Sequence, residues 1–449
     1  MKVHKIKRGY TVPVKGSPEP NILSSSKPET AGICPVEFKG VKPRLNVKVN
    51  DSVKIGSILF HDKKSPELKF ASPVCGTVSE IVYGPRRIIE KIRIKPSGED
   101  CEQHPNYRHQ EISSIKREQL IDHLLTGGIW PLIRQRPFNT IADPHDQPSS
   151  IFVNCMDTAP LAADPEFYLK DSIPEFQAGI EALKILSSNI NVIVNAGVKS
   201  SIFANIEGIQ NYGFSGKHPA GLVGTHIAKI DPVSLQKKVW YLNAGDVVKL
   251  GSFLLVGQYP SEQIIAVSGA GIKKPAYIKI TSGSQISNIL QDHLKDGELR
   301  IISGNILTGT KKNPDSYMGF YDNMITVIPE GRDRKFIGWM LPGFNRYTYS
   351  RAYASRIFLG KKYDMTTNQN GEPRAFVKTG DYEKVMGIDV YPDHIAKAVI
   401  SGDIEMMESL GILECSQEDV ALCSYICPSK IEFTEIFEKG LDLIRKEIE

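Results

Sequence analysis

The chain has 449 residues, 24% charged and 41% hydrophobic, and its 55 Lys and Arg against 51 Asp and Glu leave a formal charge of +4 at pH 7. That length favours several domains over one core, and so mild a balance, with no dense Lys/Arg tract, gives no ground for a nucleic-acid partner. No apolar run approaches the ~18–20 residues of a membrane span, the start lacks the apolar core of a signal peptide, and seven scattered cysteines suit a reducing compartment; a cytoplasmic protein with at most peripheral membrane contact is expected.

In chain order, residues 40–95 alternate short β-rich runs ("RLNVKVNDSVKIGSILF", "KFASPVCGTVSEI", "KIRIK") with turn signals at "VND" and "VCGT". The pattern resembles the flattened β-barrel of biotinyl and lipoyl carrier domains. The hairpin that carries their modifiable lysine is occupied here by "HDKKSPEL", without a Met-Lys-Met or Asp-Lys-Ala triplet, so Lys63 and Lys64 read as a solvated turn. Next, "SIKREQLIDHLLTGG" sets Ile115, Leu120, Ile121 and Leu124 on one helical face and stops in glycines. "SIFVNCM" and "NINVIVNAG" are compact β-branched runs around the helical candidate "IPEFQAGIEALKILS", the grammar of a Rossmann-like layer. A smaller α+β unit follows through "AYIKITSGSQISNILQDHL" and "LRIISG". The last stretch begins with the Tyr/Arg run "FNRYTYSRAYASR", read as a strand with Tyr347, Tyr349, Arg351 and Tyr353 on one face. It ends in helices, the final one placing Phe433, Ile436, Phe437, Leu441, Ile444 and Ile448 on one side.

Several motifs fail on inspection. "GNILTGTKK" has Thr310 where a P-loop needs lysine, and "SGAGIKKP" lacks the third glycine of a dinucleotide turn. His218 and His226 have no Cys, Asp or Glu ligand nearby and read as part of a loop packed on a sheet. In "QEDVALCSYICPSK", counting back from Cys427 at C-x₂-C-x₂-C-x₃-C-P spacing finds Cys423, but Val420 and Gln417 stand at the other two places. Two thiolates cannot hold a [4Fe–4S] cube; Ser416 and Asp419 read instead as a capping box.

"KRGYTVPVKG", "RQRPF", "HPAGLVGTHIAKIDPV", "ISGNILTGT", "MTTNQNGEPRAFVKTGDYEKVMGIDVYP" and "ALCSYICPSK" succeed one another over nearly the whole chain. Together they resemble the NqrA family, the A subunits of Na⁺-translocating NADH:quinone reductases. That family is similar in turn to the flavin- and NADH-binding subunit of respiratory complex I and to the RnfC family. The resemblance implies an α/β multidomain fold. Its expected units are a biotinyl/lipoyl-like barrel over 1–105, a Rossmann-like domain over 106–258, a small ubiquitin-like α+β domain of the SLBB type over 259–330, and a C-terminal domain with degenerate ferredoxin-type helices over 331–449. Flavoprotein relatives carry a G-x-G-G-A-G-F-P loop whose bare backbone admits FMN and nicotinamide. The matching "GGIWPLIRQRPF" fills it with Ile133, Arg134, Gln135 and Arg136, and Pro137 removes a donor. Their N-x-D-E-x-E-P-G string is here "NCMDTAPLAADP", keeping Asp157 but holding Thr158 and Pro160 where carboxylates would be.

What the resemblance implies is a peripheral subunit on the cytoplasmic face of the bacterial inner membrane, binding no cofactor and no metal, with Cys423 and Cys427 as remnant cluster ligands. FAD, FMN, riboflavin and iron–sulfur centres would belong to partner subunits among B to F, integral membrane subunits included, with NADH, ubiquinone and Na⁺ as substrates. Two stretches are candidate quinone contacts: Phe38, Lys39, Lys42 and Arg44, and Arg134, Arg136 and Phe138. Arg346, Tyr347, Tyr349, Arg351 and Tyr353 are candidate interface residues. The competing readings are a standalone NADH-oxidising flavoprotein and a non-redox scaffold or carrier.

Overall fold

The computed structural model describes residues 1–24, 27–204, 206, 208–332, 336–377 and 380–448. Its largest sheet has seven strands, in the order Lys2–Ile6, Gln210–Gly216, Ile190–Asn195, Ile151–Asn154, Val239–Asn243, Arg134–Arg136 and Thr140–Ile141. The first five run parallel; Arg134–Arg136 is antiparallel to Val239–Asn243, and Thr140–Ile141 is antiparallel to Arg134–Arg136. Both faces are covered, which is why "INVIVN" is apolar throughout rather than alternating. Ile151, Val153, Trp240 and Leu242 face the helices Ile173–Leu186 and Ala244–Val256, while Phe152, Ile193 and Tyr241 face the helix Val223–Ile230.

The barrel has a four-stranded and a three-stranded sheet around Phe38, Phe60, Phe70, Val78 and Ile92, with the Phe60 and Phe70 rings stacked at 4.4 Å. Lys63 and Lys64 are exposed in the hairpin between Ile58–Asp62 and Lys69–Ala71. A six-stranded sheet, in the order Thr310–Lys312, Leu299–Ser303, Met324–Pro329, Glu262–Ser268, Ala276–Thr281 and Glu19–Ser24, forms the third unit. The helices Pro392–Ser401, Ile404–Ser409, Gln417–Ile426 and Phe433–Ile448 share a fourth core.

One expectation changes, that of the Tyr/Arg strand. Within the first 24 residues, Lys2–Ile6 completes one edge of the seven-stranded sheet and Glu19–Ser24 one edge of the six-stranded sheet. An open sheet edge is a row of unpaired N–H and C=O groups, and this segment caps two of them. The Tyr/Arg run is not a strand. Between Pro329 and Pro392 the described residues form only short 3₁₀ turns, because the tyrosines find remote partners instead of a ladder: Tyr347 donates to Tyr10 at 2.6 Å, and Tyr349 packs edge-on against the same ring at 5.1 Å. On the last helix Phe433, Phe437, Leu441 and Ile444 are buried, Ile436 is half-buried, and Ile448 faces solvent.

His218 and His226 lie buried on the loop and helix that cover the seven-stranded sheet. His226 Nε2 meets the Ala220 carbonyl at 2.8 Å, and its ring packs on Phe214. Burial pushes both imidazoles down to about 4, from an ordinary value of 6.5. The unfolded chain therefore takes up protons first as pH falls. Stability is fully present above about pH 6.5 and is lost progressively toward pH 4; at pH 5 the loss is at most about 2 kcal/mol per histidine. Urea midpoints measured between pH 7.5 and 5 should fall accordingly, and His226→Gln, which keeps a donor for Ala220, should flatten the slope.

Candidate functional site

The strand Arg134–Arg136 pairs antiparallel with Val239–Asn243, so Arg134 and Arg136, two residues apart, reach the same side of that strand. The Arg134 guanidinium lies between two rings, 4.5 Å from the centre of Tyr241 and 4.6 Å from Tyr321. Tyr321 is held by its hydroxyl, which donates to the Pro131 carbonyl at 2.8 Å, and Tyr241 donates to Asn139. The Arg134 side chain makes no hydrogen bond among the described residues, and its Nε is buried without a partner.

Arg136 is 1% exposed. It donates to Glu418 at 2.8 Å and to Asp419 at 3.2 Å. Burial opposes its charge, but Asp419, Tyr241 and Glu418 outweigh that and hold the guanidinium protonated. Asp419 also accepts from the Ser416 N–H at 2.9 Å and the Ser416 hydroxyl at 3.0 Å, closing the capping box of the helix Gln417–Ile426. Gly224 makes room for it: a Cβ there would lie 2.2 Å from an Asp419 oxygen.

Between these residues, at the C-terminal ends of Ile151–Asn154 and Val239–Asn243, is a polar cavity of about 180 Å³ lined by Arg134, Asp157, His218, Tyr241, Tyr321 and Glu418, among others. Burial pushes the Asp157 carboxyl up to about 6, partly offset by the Ala159 N–H donating to it at 2.8 Å. Such a site can hold water or a small polar head group, with one guanidinium to donate and one carboxyl able to carry a proton near neutral pH.

The sequence candidates scatter around this cavity. Of the quinone candidates, only Arg134 lines it. Phe38 is in the barrel core, 2% exposed against Phe70, Phe320 and Tyr321. Lys39 pairs with Asp442 at 3.2 Å, the Lys42 N–H donates to Asp62, and Arg44 lies on an exposed position of the barrel strand Pro43–Leu45. Arg136 is consumed by its ion pairs, and Phe138, at φ +78°, packs on the helical core. Of the interface candidates, Tyr347 and Tyr349 turn inward; Arg346 is half-buried and donates to the Tyr353 hydroxyl at 3.3 Å; Arg351 is exposed. Tyr241, Tyr321 and Glu418 were not anticipated. Glu418 carried a signal, since acidic residues at a helix start offer themselves to a buried cation; the tyrosines carried none.

Family models described as the NqrA N-terminal barrel-sandwich hybrid domain, the NqrA second alpha/beta domain and the NQRA C-terminal domain match residues 4–97, 115–259 and 264–313. Two relatives, each named as the A subunit of a Na(+)-translocating NADH-quinone reductase, are similar end to end. That of Saccharophagus degradans is 38% identical over 99% of each chain, and that of Haemophilus influenzae is 37% identical over 98% of this chain and 99% of its own. The chain belongs to the NqrA family. Among solved structures, an NAD⁺-reducing [NiFe]-hydrogenase in its H₂-reduced state aligns with 75% of this chain and 62% of that one, at 10% identity and a TM-score of 0.38, too low to carry an argument.

The stretch set against the flavoprotein glycine loop in the sequence resemblance is a sheet strand, with the Arg134 guanidinium held between Tyr241 and Tyr321 and Arg136 paired with Glu418 and Asp419. The residues present do not fit FMN: side chains occupy the close-approach side, and the cavity is smaller than the ~300–1,000 Å³ of ordinary ligand pockets. Nor do the cysteines fit a cluster. Cys415, Cys423 and Cys427 are buried in an apolar core, with Val420 packed beside them where a third ligand would stand. Burial raises the Cys415 and Cys423 thiols well above their usual range, and Cys427 contacts the Tyr382 hydroxyl at 3.1 Å. Among the described residues no group of three or more His, Cys, Asp or Glu is placed to hold a metal ion.

Proposed function

We propose that this chain is the peripheral NqrA component of a Na⁺-translocating NADH:quinone reductase, standing at the cytoplasmic face of the inner membrane. It assembles with integral membrane subunits and with others of the set B to F. Those partners carry the FAD, FMN, riboflavin and iron–sulfur centres that pass electrons from NADH to ubiquinone as Na⁺ is exported. This chain supplies surfaces and rigidity, not an electron carrier. One observation carries the reading: Arg136 stands in the flavin loop's place and is locked in a buried ion pair with the helix that would have borne cluster ligands. Among the described residues no helix is long and apolar enough to cross a membrane, which agrees with a peripheral placement. The test is the complex prepared without this chain. Removing a carrier-free component leaves NADH oxidation by a small artificial acceptor intact; losing that oxidation together with bound flavin would sink the reading.

A second reading has its own observation. Arg134 is the only quinone candidate on the cavity, and its donors are unspent. Arg134 then donates to a quinone carbonyl, with Tyr241 and Tyr321 holding the guanidinium flat. Arg134→Ala should raise the ubiquinone KM about tenfold, the loss of one charged hydrogen bond, with a smaller change in kcat. An unchanged KM disposes of it.

A further inference from the structure

From Phe336 to Tyr363 the chain carries five Lys or Arg and no Asp or Glu. Among the described residues, the same stretch holds the densest run of exposed large apolar side chains. Phe336 is 90% exposed, Trp339 77% and Leu359 87%, with Met340, Leu341 and Phe344 also exposed. Isolated exposed apolar side chains need no explanation; a contiguous set on one segment does.

The segment is not loose chain. Its base is tied down by Tyr347 on Tyr10, by the Ala354 N–H donating to the Pro342 carbonyl at 2.8 Å, and by Ser355 donating to the Arg346 carbonyl. At Gly343 a Cβ would meet the Tyr353 ring at 2.5 Å, so the two arms pack face to face. Internal packing thus consumes the tyrosines and leaves the Phe, Trp, Leu and Met side chains outward. Interspersed along the same segment are the cations. Arg351, Arg356 and Lys362 are exposed, Arg351 and Arg356 make no ion pair among the described residues, and Lys361 lies 5.0 Å over the Phe358 ring.

We propose that residues 336–362 form a tip that enters the headgroup layer of an anionic phospholipid bilayer. Trp339 and its apolar neighbours sit at the acyl boundary, while Arg351, Arg356 and Lys362 meet lipid phosphates. An aromatic-apolar segment interspersed with exposed cations matches that interface in polarity and charge. The exposed cations fall at intervals along the same segment as the apolar side chains, a pattern that a fluid anionic surface meets without fixed register. The inference rests on the peripheral-subunit reading for its setting, but it is tested on this chain alone, so its failure would leave that reading standing.

The three tryptophans make the test direct. Trp130 and Trp240 are fully buried, so changes in emission on vesicle addition report Trp339. With vesicles containing phosphatidylglycerol at low salt, emission should shift to the blue, brominated acyl chains should quench it, and the full chain should co-sediment. Binding should be about tenfold weaker on pure phosphatidylcholine and should fall as salt screens the lipid charge. Phe336→Ser with Leu359→Ser, both at exposed positions, should abolish sedimentation; Arg351→Glu with Arg356→Glu should remove the preference for anionic lipid. No shift and no sedimentation on any vesicle overturns the proposal. It also falls if the wild-type chain ignores lipid while Phe336→Ser with Leu359→Ser blocks assembly with the other subunits, which would make the tip a protein interface.

Discussion

Replacing Arg136 with alanine should cost about 3–5 kcal/mol of stability, because it leaves two carboxylates beside a cavity without their cation. Asp419 is almost fully buried and Glu418 largely so. The loss should fall unevenly: the helix Gln417–Ile426 comes away from the seven-stranded sheet first, so urea unfolding splits into two transitions. Arg136→Lys keeps a charge but not the fork that reaches both partners, and should lie between wild type and alanine. Adding Glu418→Gln and Asp419→Asn to Arg136→Ala should recover part of the loss, since the stranded charges go and the Asn carbonyl still accepts from the Ser416 N–H. A single transition at the wild-type midpoint in Arg136→Ala would mean that the ion pair does not hold the helical unit in place.

Trp130→Ala should be equally severe, about 3–5 kcal/mol. Trp130 is wholly buried, crosses Trp240 edge-on at 5.5 Å, and donates from Nε1 to the Ala142 carbonyl at 2.7 Å. It precedes the strand Arg134–Arg136, while Ala142 follows the strand Thr140–Ile141, so this one side chain ties the two strands together at the open end of their hairpin. Trp130→Phe keeps the ring but strands the carbonyl, and should cost about 1–3 kcal/mol. Equilibrium denaturation separates the two, and the smaller substitution should still disturb the setting of Arg134 between its tyrosines.

What the residues disclosed beforehand follows from range. Periodicities are local, so "INVIVN", "REQLIDHLLT" and the final helix were legible, as was the Ser416–Asp419 cap, whose partners are three positions apart. Arg136 was legible as an intruder in a glycine loop but not as half of an ion pair, because its partner is 283 residues away. The same distance hid the two edges closed by Lys2–Ile6 and Glu19–Ser24: nothing in a short alternating run says which sheet it joins. The Tyr/Arg run misled for a different reason. Its alternation mimicked a strand, while the tyrosines alternated to reach Tyr10 and Tyr425. Phe38 looked like an available aromatic and proved to be core.

The most direct test is cofactor content. The isolated full chain, refolded with excess FMN, iron and sulfide and then passed over a sizing column, should elute with no stoichiometric flavin and no iron. One flavin per chain, or iron held by Cys415, Cys423 and Cys427, would contradict the account.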